Sequence, residues 1–214
     1  MIELLPDIFH TNSDRPFANE VETRAYLVTL ATGNLLFYSS SLIGLEFDFI
    51  RSKGGILNQY LNHRDEASEY CDVVRRRFNA PLICHELERD AVSEHCEVSA
   101  TFSERRHILP VLEAIPTPGH CPGSTCYLLQ CGGKHILFSG DTIYPDNGVW
   151  KTYLHGSRSN VKDMLSSLDL LGNLAVDIIL PGLYIGAVSW EEVSKSRWHS
   201  LINECTRQVK YTKE

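Results

Sequence analysis

The strongest constraint on the fold lies in residues 116–142, where a histidine-bearing loop, two apolar strands and an acidic loop follow one another. The stretch TPGHCPGS places His120 between two Pro–Gly turns and runs directly into the strand-like TCYLLQC. A tight GGK turn follows, then the strand-like HILFSG, and then Asp141. Rigid strands commonly position binding and catalytic side chains on the loops at their ends. The pattern therefore predicts strands with functional residues beside them.

Apolar patterning predicts further strands along the chain. AYLVTL and NLLFYS are joined by ATGN, which is typical of a hairpin. The other predicted strands lie at 56–61, 81–85, 110–117 and 176–182.

Helical spacing predicts the connecting helices. One follows residue 66, where Ala67, Tyr70, Cys71, Val74 and Phe78 fall on one face. A second helix is predicted to begin after Asn160, which is a cap residue, and to stop at Gly172. A C-terminal helix is predicted from Ser189 and Glu192, which together form a capping box. Runs of strands with helices between them favour an α/β fold of two sheets with helices outside, in a single domain spanning 1–214.

Composition narrows the class of function. The net charge is −7 with no long basic run, which argues against nucleic acid or an anionic membrane as a partner. We find no signal peptide and no stretch of ~20 apolar residues, so we expect a cytoplasmic protein. The seven cysteines lack CxxC spacing and are interpreted as reduced thiols. Cys121, beside His120, is the one that we single out as a candidate reactive thiol.

Imidazoles and carboxylates follow three of the predicted strands. His63, Asp65 and Glu66 follow the strand at 56–61, His120 follows the strand that ends in PTPG, and Asp141 follows HILFSG. Such N/O ligands suit zinc, manganese or iron. Spacing alone leaves simpler interpretations open, namely a turn residue for His120 and a helix N-terminus that favours acids for Asp65 and Glu66.

The segments TPGHCPGSTCYLL, ILFSGDTIY, SNVKDMLSSLDLL and DIILPG together resemble the metallo-β-lactamase superfamily, especially the glyoxalase II-like hydrolases. The resemblance extends over roughly residues 20 to 188. It implies an αββα sandwich, in which two mixed β-sheets lie face to face with helices outside. It also implies a metal site at one edge that activates water for attack on an ester, thioester, lactam or phosphoester.

Carried over to this chain, the resemblance makes His120 the third metal histidine and Asp141 the bridging aspartate. The family signature T-H-x-H-x-D-H admits two alignments with residues 61–68. In the preferred one, His63 is the first ligand and Asp65 replaces the second histidine. In the other, His63 is the second histidine, Asp65 is the family aspartate and Glu66 replaces the last histidine.

Two further departures concern a second metal. Leu183 replaces the last histidine of the usual LPGHG, and Tyr38 replaces the usual acidic residue after the first hairpin. We therefore expect one divalent ion, zinc first with manganese or iron as alternatives. Its expected ligands are His63, Asp65, His120 and Asp141, and Glu66 or Asp65 is expected to accept a proton.

The leading hypothesis is a hydrolase of a small ester or thioester-like substrate, with a homo-oligomer compatible with the sequence. The alternative is a non-catalytic ligand-binding or structural module that keeps the fold. Trp150, Tyr153 and His155 lie in the segment that often lines the family pocket, although ordinary packing also accounts for them. A Cys121 nucleophile is a third and weaker reading.

Overall fold

A computed structural model describes residues 1–17, 20–154 and 156–211. The chain divides into two compact units, Met1–Phe102 and Ser103–Glu214, and each is described by itself. The single domain that the sequence suggests stays a prediction. None of the helices in the described residues has the length and apolar character needed to cross a lipid bilayer.

The first unit is built on a mixed sheet. The strands of this unit are Ile2–Leu5 (β1), Ile8–His10 (β2), Val21–Thr23 (β3), Tyr26–Val28 (β4), Leu35–Phe37 (β5), Asn58–Tyr60 (β6), Leu82–His85 (β7) and Ala100–Phe102 (β8), and all but β3 belong to the mixed sheet. Within the described residues the sheet has the order β1-β2-β4-β5-β6-β7-β8. The predicted hairpin is confirmed, because β4 and β5 pair antiparallel with Tyr26 opposite Phe37. From β5 to β8 the strands run parallel, so their carboxyl ends share one edge.

The helices of the first unit are Phe47–Ser52 (α1), Glu69–Phe78 (α2) and Arg89–Ser93 (α3). The helix predicted from apolar spacing is α2, which buries Cys71 and Val74 and ends at Asn79 in the left-handed conformation. Acidic side chains lie in its first turn and arginines in its last, which complements the helix dipole. Ala67 precedes the helix and packs against the core beneath it.

The second unit contains two groups of strands. The first group is Arg106–Leu109 (β9), Leu112–Pro116 (β10), Thr125–Cys131 (β11), Lys134–Gly140 (β12), Ile178–Pro181 (β15) and Glu191–Glu192 (β17). The second is Tyr144–Asp146 (β13), Val149–Lys151 (β14) and Leu183–Ile185 (β16). The first group forms a sheet in the order β17-β15-β12-β11-β10-β9, antiparallel except where β12 meets β15. The predicted strands on both sides of the GGK turn are therefore confirmed as the β11–β12 hairpin.

Helices Val161–Gly172 (α4) and Lys195–Tyr211 (α5) pack against one apolar core. Asn160 caps α4 as predicted, because its side chain accepts hydrogen bonds from the backbone of Lys162 and Asp163, and the helix ends at Gly172. The predicted capping box is wrong. Glu192 lies on β17, which pairs with β15, and α5 begins only at Lys195. Ser194 is the cap, since its Oγ accepts a hydrogen bond from the Arg197 backbone at 3.2 Å.

Candidate metal centre

Candidate metal ligands occur in both units among the described residues. In the first unit they are His63, Asp65 and Glu66, and in the second they are His120, Cys121 and Asp141. They lie on two loops and one strand end: the His63 loop (residues 61–68), the His120 loop (residues 117–124) and the position after β12. Within the first unit His63 lies close to Asp65 and Glu66, and within the second unit His120 lies close to Asp141.

The His120 loop is shaped by the backbone and by α4. Gly119 adopts φ +146°, where a side chain is strained, and a Cβ there would lie 2.6 Å from the Met164 Cα. The Gly119 carbonyl accepts a hydrogen bond from the Asn160 amide at 2.8 Å. Ser167 on α4 donates to the Pro118 carbonyl at 2.7 Å. Helix α4 therefore fixes the path of this loop.

The imidazole of His120 has one defined tautomer. The side chain is 1% exposed, and its Nδ1 lies 3.1 Å from the backbone carbonyl oxygen of Tyr153. Because a carbonyl can only accept, Nδ1 carries the proton and Nε2 keeps a lone pair. A ring nitrogen held in this way is the usual support for a metal-ligating histidine.

Asp141 lies next to that lone pair. Its Oδ2 is 3.9 Å from the His120 Nε2, which is too long for a hydrogen bond. Two ligands of one zinc ion, each bound at ~2 Å, can lie up to about 4 Å apart. The Tyr153 amide also donates to the Asp141 carbonyl at 3.3 Å, so the same backbone segment holds both residues. His120 and Asp141 therefore fit a divalent metal ion.

Two tyrosine side chains pack beside the His120 imidazole. The Tyr153 ring meets the imidazole edge-on at 5.2 Å, and Tyr144 meets Tyr153 at 6.0 Å. Burial, followed by the nearby carboxylates of Asp146 and Asp141, raises the pKa of Tyr144 to about 12. Its phenol therefore stays protonated near neutral pH. Trp150 is buried, and His155, the third residue singled out in this segment, lies outside the described residues.

The His63 loop is held by its own side chains. The Nδ1 of His63 accepts a hydrogen bond from the Asp65 amide at 3.3 Å, and its Nε2 lies 3.2 Å from the Glu66 Oε1. Since an amide N–H can only donate, the neutral imidazole carries its proton on Nε2, facing Glu66. The other oxygen of Glu66 accepts from the Asn62 amide at 2.7 Å. The His63 Nε2 and the Glu66 Oε1 are close but do not have the geometry of a hydrogen bond, so the loop is held by the two backbone amides of Asn62 and Asp65 that donate to these side chains.

Arg64 anchors this loop to the start of α3. Its Nε and Nη2 donate to the two carboxylate oxygens of Glu88 at 2.6 and 2.9 Å, and its amide donates to the same carboxylate at 3.0 Å. Glu88 is fully buried. The sequence does not predict a role for either residue, because partners 24 residues apart give no local signal.

The replaced family positions are buried. Leu183 is 5% exposed on β16, and Tyr38 is 3% exposed with φ +64°. Leu61 is 1% exposed and packs in the first unit's core with Cys71 and Leu82. The first alignment is preferred because apolar Leu61 then ends the strand, whereas the second would place a leucine at a metal-ligand position. The burial of Leu61 in the core agrees with that preference, and the alignment itself stays a prediction.

Comparisons with known proteins identify the fold. The model of the metallo-beta-lactamase superfamily matches residues 102–183. A search of curated proteins finds no relative that matches the sequence. Similar solved structures include a metallo-beta-lactamase from Pontibacter korlensis, 16% identical over 94% of this chain and 97% of that one, with a TM-score of 0.69.

Two other solved structures are similar to the chain. VMB-1 is 14% identical over 100% of this chain and 97% of its own, with a TM-score of 0.74. A B3 metallo-beta-lactamase described as the first with an active-site glutamic acid is 16% identical over 94% and 90%, with a TM-score of 0.67. The predicted fold class is confirmed: the chain has the metallo-β-lactamase fold, and the resemblance of its sequence to that superfamily is borne out.

Proposed function

We propose that this protein is a metal-dependent hydrolase of a small ester or thioester-like substrate, with one divalent ion held by His63, Asp65, His120 and Asp141. The observation that carries the proposal is the buried His120 imidazole, whose Nε2 lone pair lies 3.9 Å from the Asp141 carboxylate. Two imidazoles and two carboxylates suit zinc first, and manganese or iron as alternatives. When bound, such an ion would lower the pKa of water toward neutrality.

The chain's own residues divide the remaining tasks. Tyr153 orients His120 through its backbone carbonyl, and Asp141 supplies a negative charge beside the imidazole. His63 already presents a lone pair at Nδ1, so a metal there would replace only the hydrogen bond from the Asp65 amide. Asp65, if it does not bind metal, or Glu66 then accepts the proton of the attacking water.

The second candidate function is a non-catalytic binding or structural module. The observation that favours it is that the His63 loop is already held by its own side chains, because the His63 Nδ1 accepts a hydrogen bond from the Asp65 amide and the Glu66 carboxylate accepts one from the Asn62 amide. Buried Leu183 and Tyr38 at family ligand positions point the same way. The metal content of the purified protein decides between the two functions.

Elemental analysis after growth and dialysis with excess zinc tests the proposal. We expect about one equivalent of metal, as a single ligand shell implies. His120→Ala should lose it while keeping the circular dichroism of the parent, whereas His107→Ala, an exposed histidine on β9, should retain it. Unchanged retention in His120→Ala would show that His120 is not a ligand, and a metal-free parent would favour the non-catalytic module.

Leu183→His sharpens the question of a second metal. If the second alignment of residues 61–68 holds, the restored histidine should raise the stoichiometry above one, because Asp65 and Glu66 then occupy neighbouring ligand positions. A count that stays at one supports the first alignment. Initial rates on panels of esters and thioesters, with and without a chelator, then separate metal binding from turnover.

The remaining expectations belong to the same proposal. A reducing compartment such as the cytoplasm is supported by the seven cysteines, all of which are free thiols. A small-molecule substrate, rather than nucleic acid or a membrane, is supported by the net charge of −7.

A further inference from the structure

Two cysteines of the first unit lie side by side in one apolar cluster. Cys71 is in the first turn of α2, and Cys96 follows α3. They are 4% and 6% exposed, both are free thiols, and they share a core with Leu61, Leu82 and Val98. The Cys96 Sγ donates a hydrogen bond to the Val92 carbonyl at 3.8 Å, and the Cys71 thiol is its neighbour in this cluster.

Neighbouring contacts hold the two segments together. The Glu97 amide donates to the Asp72 Oδ1 at 3.1 Å, and the Arg75 Nη2 lies 2.9 Å from the Glu97 Oε2. The first of these contacts joins the residue after Cys71 to the residue after Cys96, and the second joins the next turn of α2 to the same glutamate. The packing of α2 against the segment that follows α3 therefore keeps the two cysteines in the same part of the core.

Cys71 differs from the buried cysteines Cys84 and Cys205 in its surroundings. Burial raises the pKa of Cys84 and of Cys205 to about 12. The pKa of Cys71 is lowered instead, first by the hydrogen bond with Cys96 and then, against the effect of burial, by the backbone of Ser68 and the hydroxyls of Ser39 and Ser68. A position in the first turn of a helix favours a thiolate in the same way.

We propose that Cys71 and Cys96 are a redox-active dithiol that a small hydroperoxide oxidises to an intramolecular disulfide. The Cys71 sulfur attacks the peroxide, so an S–O bond forms, the O–O bond breaks and the alcohol or water leaves with the thiol proton. The Cys96 sulfur then attacks the Cys71 sulfenic acid, the S–S bond forms, and water leaves. Two thiols are oxidised and one peroxide is reduced. Because both side chains are nearly buried, the oxidant must be small.

This inference is independent of the proposed hydrolase. The disulfide would join the first turn of α2 to the segment after α3, and it requires no metal ligand. The measurement of metal content can therefore contradict the hydrolase proposal without affecting the dithiol proposal, and the measurement of thiol oxidation can do the reverse.

The test uses the full chain carrying Cys131→Ser, which removes the one half-buried cysteine among the seven. Hydrogen peroxide at a few equivalents should remove two of the remaining thiols, counted after denaturation, and non-reducing peptide mapping should find Cys71 joined to Cys96. Cys84→Ser, from the same core, should leave this loss unchanged. Cys71→Ser should abolish it, and Cys96→Ser should stop at a sulfenic acid that dimedone traps.

Mapping of the protein with both cysteines intact keeps the test decisive even where a variant fails to fold. A Cys71–Cys96 peptide in the oxidised sample supports the proposal. Full retention of thiols, a different pair, or the same loss of thiols in a folded Cys71→Ser variant would overturn it.

Discussion

The two loops that carry the candidate ligands are supported in different ways. The His120 loop rests on a glycine packed against α4 and on hydrogen bonds from Ser167 and Asn160 to its backbone. The His63 loop rests on charged side chains, namely the Arg64–Glu88 pair and the Glu66 carboxylate. Residues that match the family are thus found where packing sets the geometry, and the departures from the family fall where ionic contacts set it. The first loop should respond to changes of shape and the second to changes of charge.

The largest effect is expected from Gly119→Ala. The alanine would have to adopt φ +146°, and its methyl group would lie 2.6 Å from the Met164 Cα. Backbone strain and steric overlap therefore both destabilise the variant. We expect a loss of about 3 kcal/mol or more in the free energy of unfolding, measured with urea and circular dichroism. Gly132→Ala is the control, because it has φ +57° and nothing within 4 Å. Its cost should be about 1 kcal/mol, and equal costs would contradict the packing of this loop on α4.

Glu88→Gln tests the charged support of the His63 loop. It leaves the Arg64 guanidinium beside a neutral amide in a buried setting, so we expect a loss of about 2 to 3 kcal/mol in the free energy of unfolding. Amide exchange in residues 64–66 should also accelerate, since the Arg64 amide donates to the same carboxylate.

The matched control is Asp48→Asn, which removes the partner of Arg51 in an exposed pair. Its cost should stay below ~0.5 kcal/mol, as is usual for surface ion pairs. If Glu88→Gln costs as little as Asp48→Asn, charge does not support this loop and the comparison between the two loops fails.

Much of the fold could be predicted because apolar periodicity is local. The β11–β12 hairpin, α2 and α4 follow directly from their own residues. The start of α5 could not be predicted, because tertiary contacts override the local pattern. The Glu191 carboxylate accepts hydrogen bonds from Trp150 and Arg197, and its backbone pairs with β15. A segment held in that way cannot begin a helix at Ser189.

The candidate site also has features that are local in the sequence, which could be predicted, and features that depend on distant contacts, which could not. His120 and Asp141 follow from a motif whose residues are close in the sequence. The Tyr153 carbonyl that orients His120 lies 33 residues away in the sequence. Because it is a main-chain group, which every residue has, the amino-acid type at position 153 does not predict this contact. The Arg64–Glu88 pair is equally distant in sequence, and it occupies a position that the family signature leaves open.

The smallest effect is expected from Ser167→Ala, which removes one hydrogen bond between α4 and the His120 loop. The Ser167 Oγ donates to the Pro118 carbonyl at 2.7 Å, so we expect a loss of about 1 kcal/mol in the free energy of unfolding. Ser166→Ala is the control, since the Ser166 hydroxyl is exposed and donates only to the Lys162 carbonyl of its own helix. That change should be neutral or slightly stabilising, because alanine favours the helix. If both variants were equally stable, the loop would depend on Gly119 and its packing alone, and the contrast with the charged support of the His63 loop would become sharper.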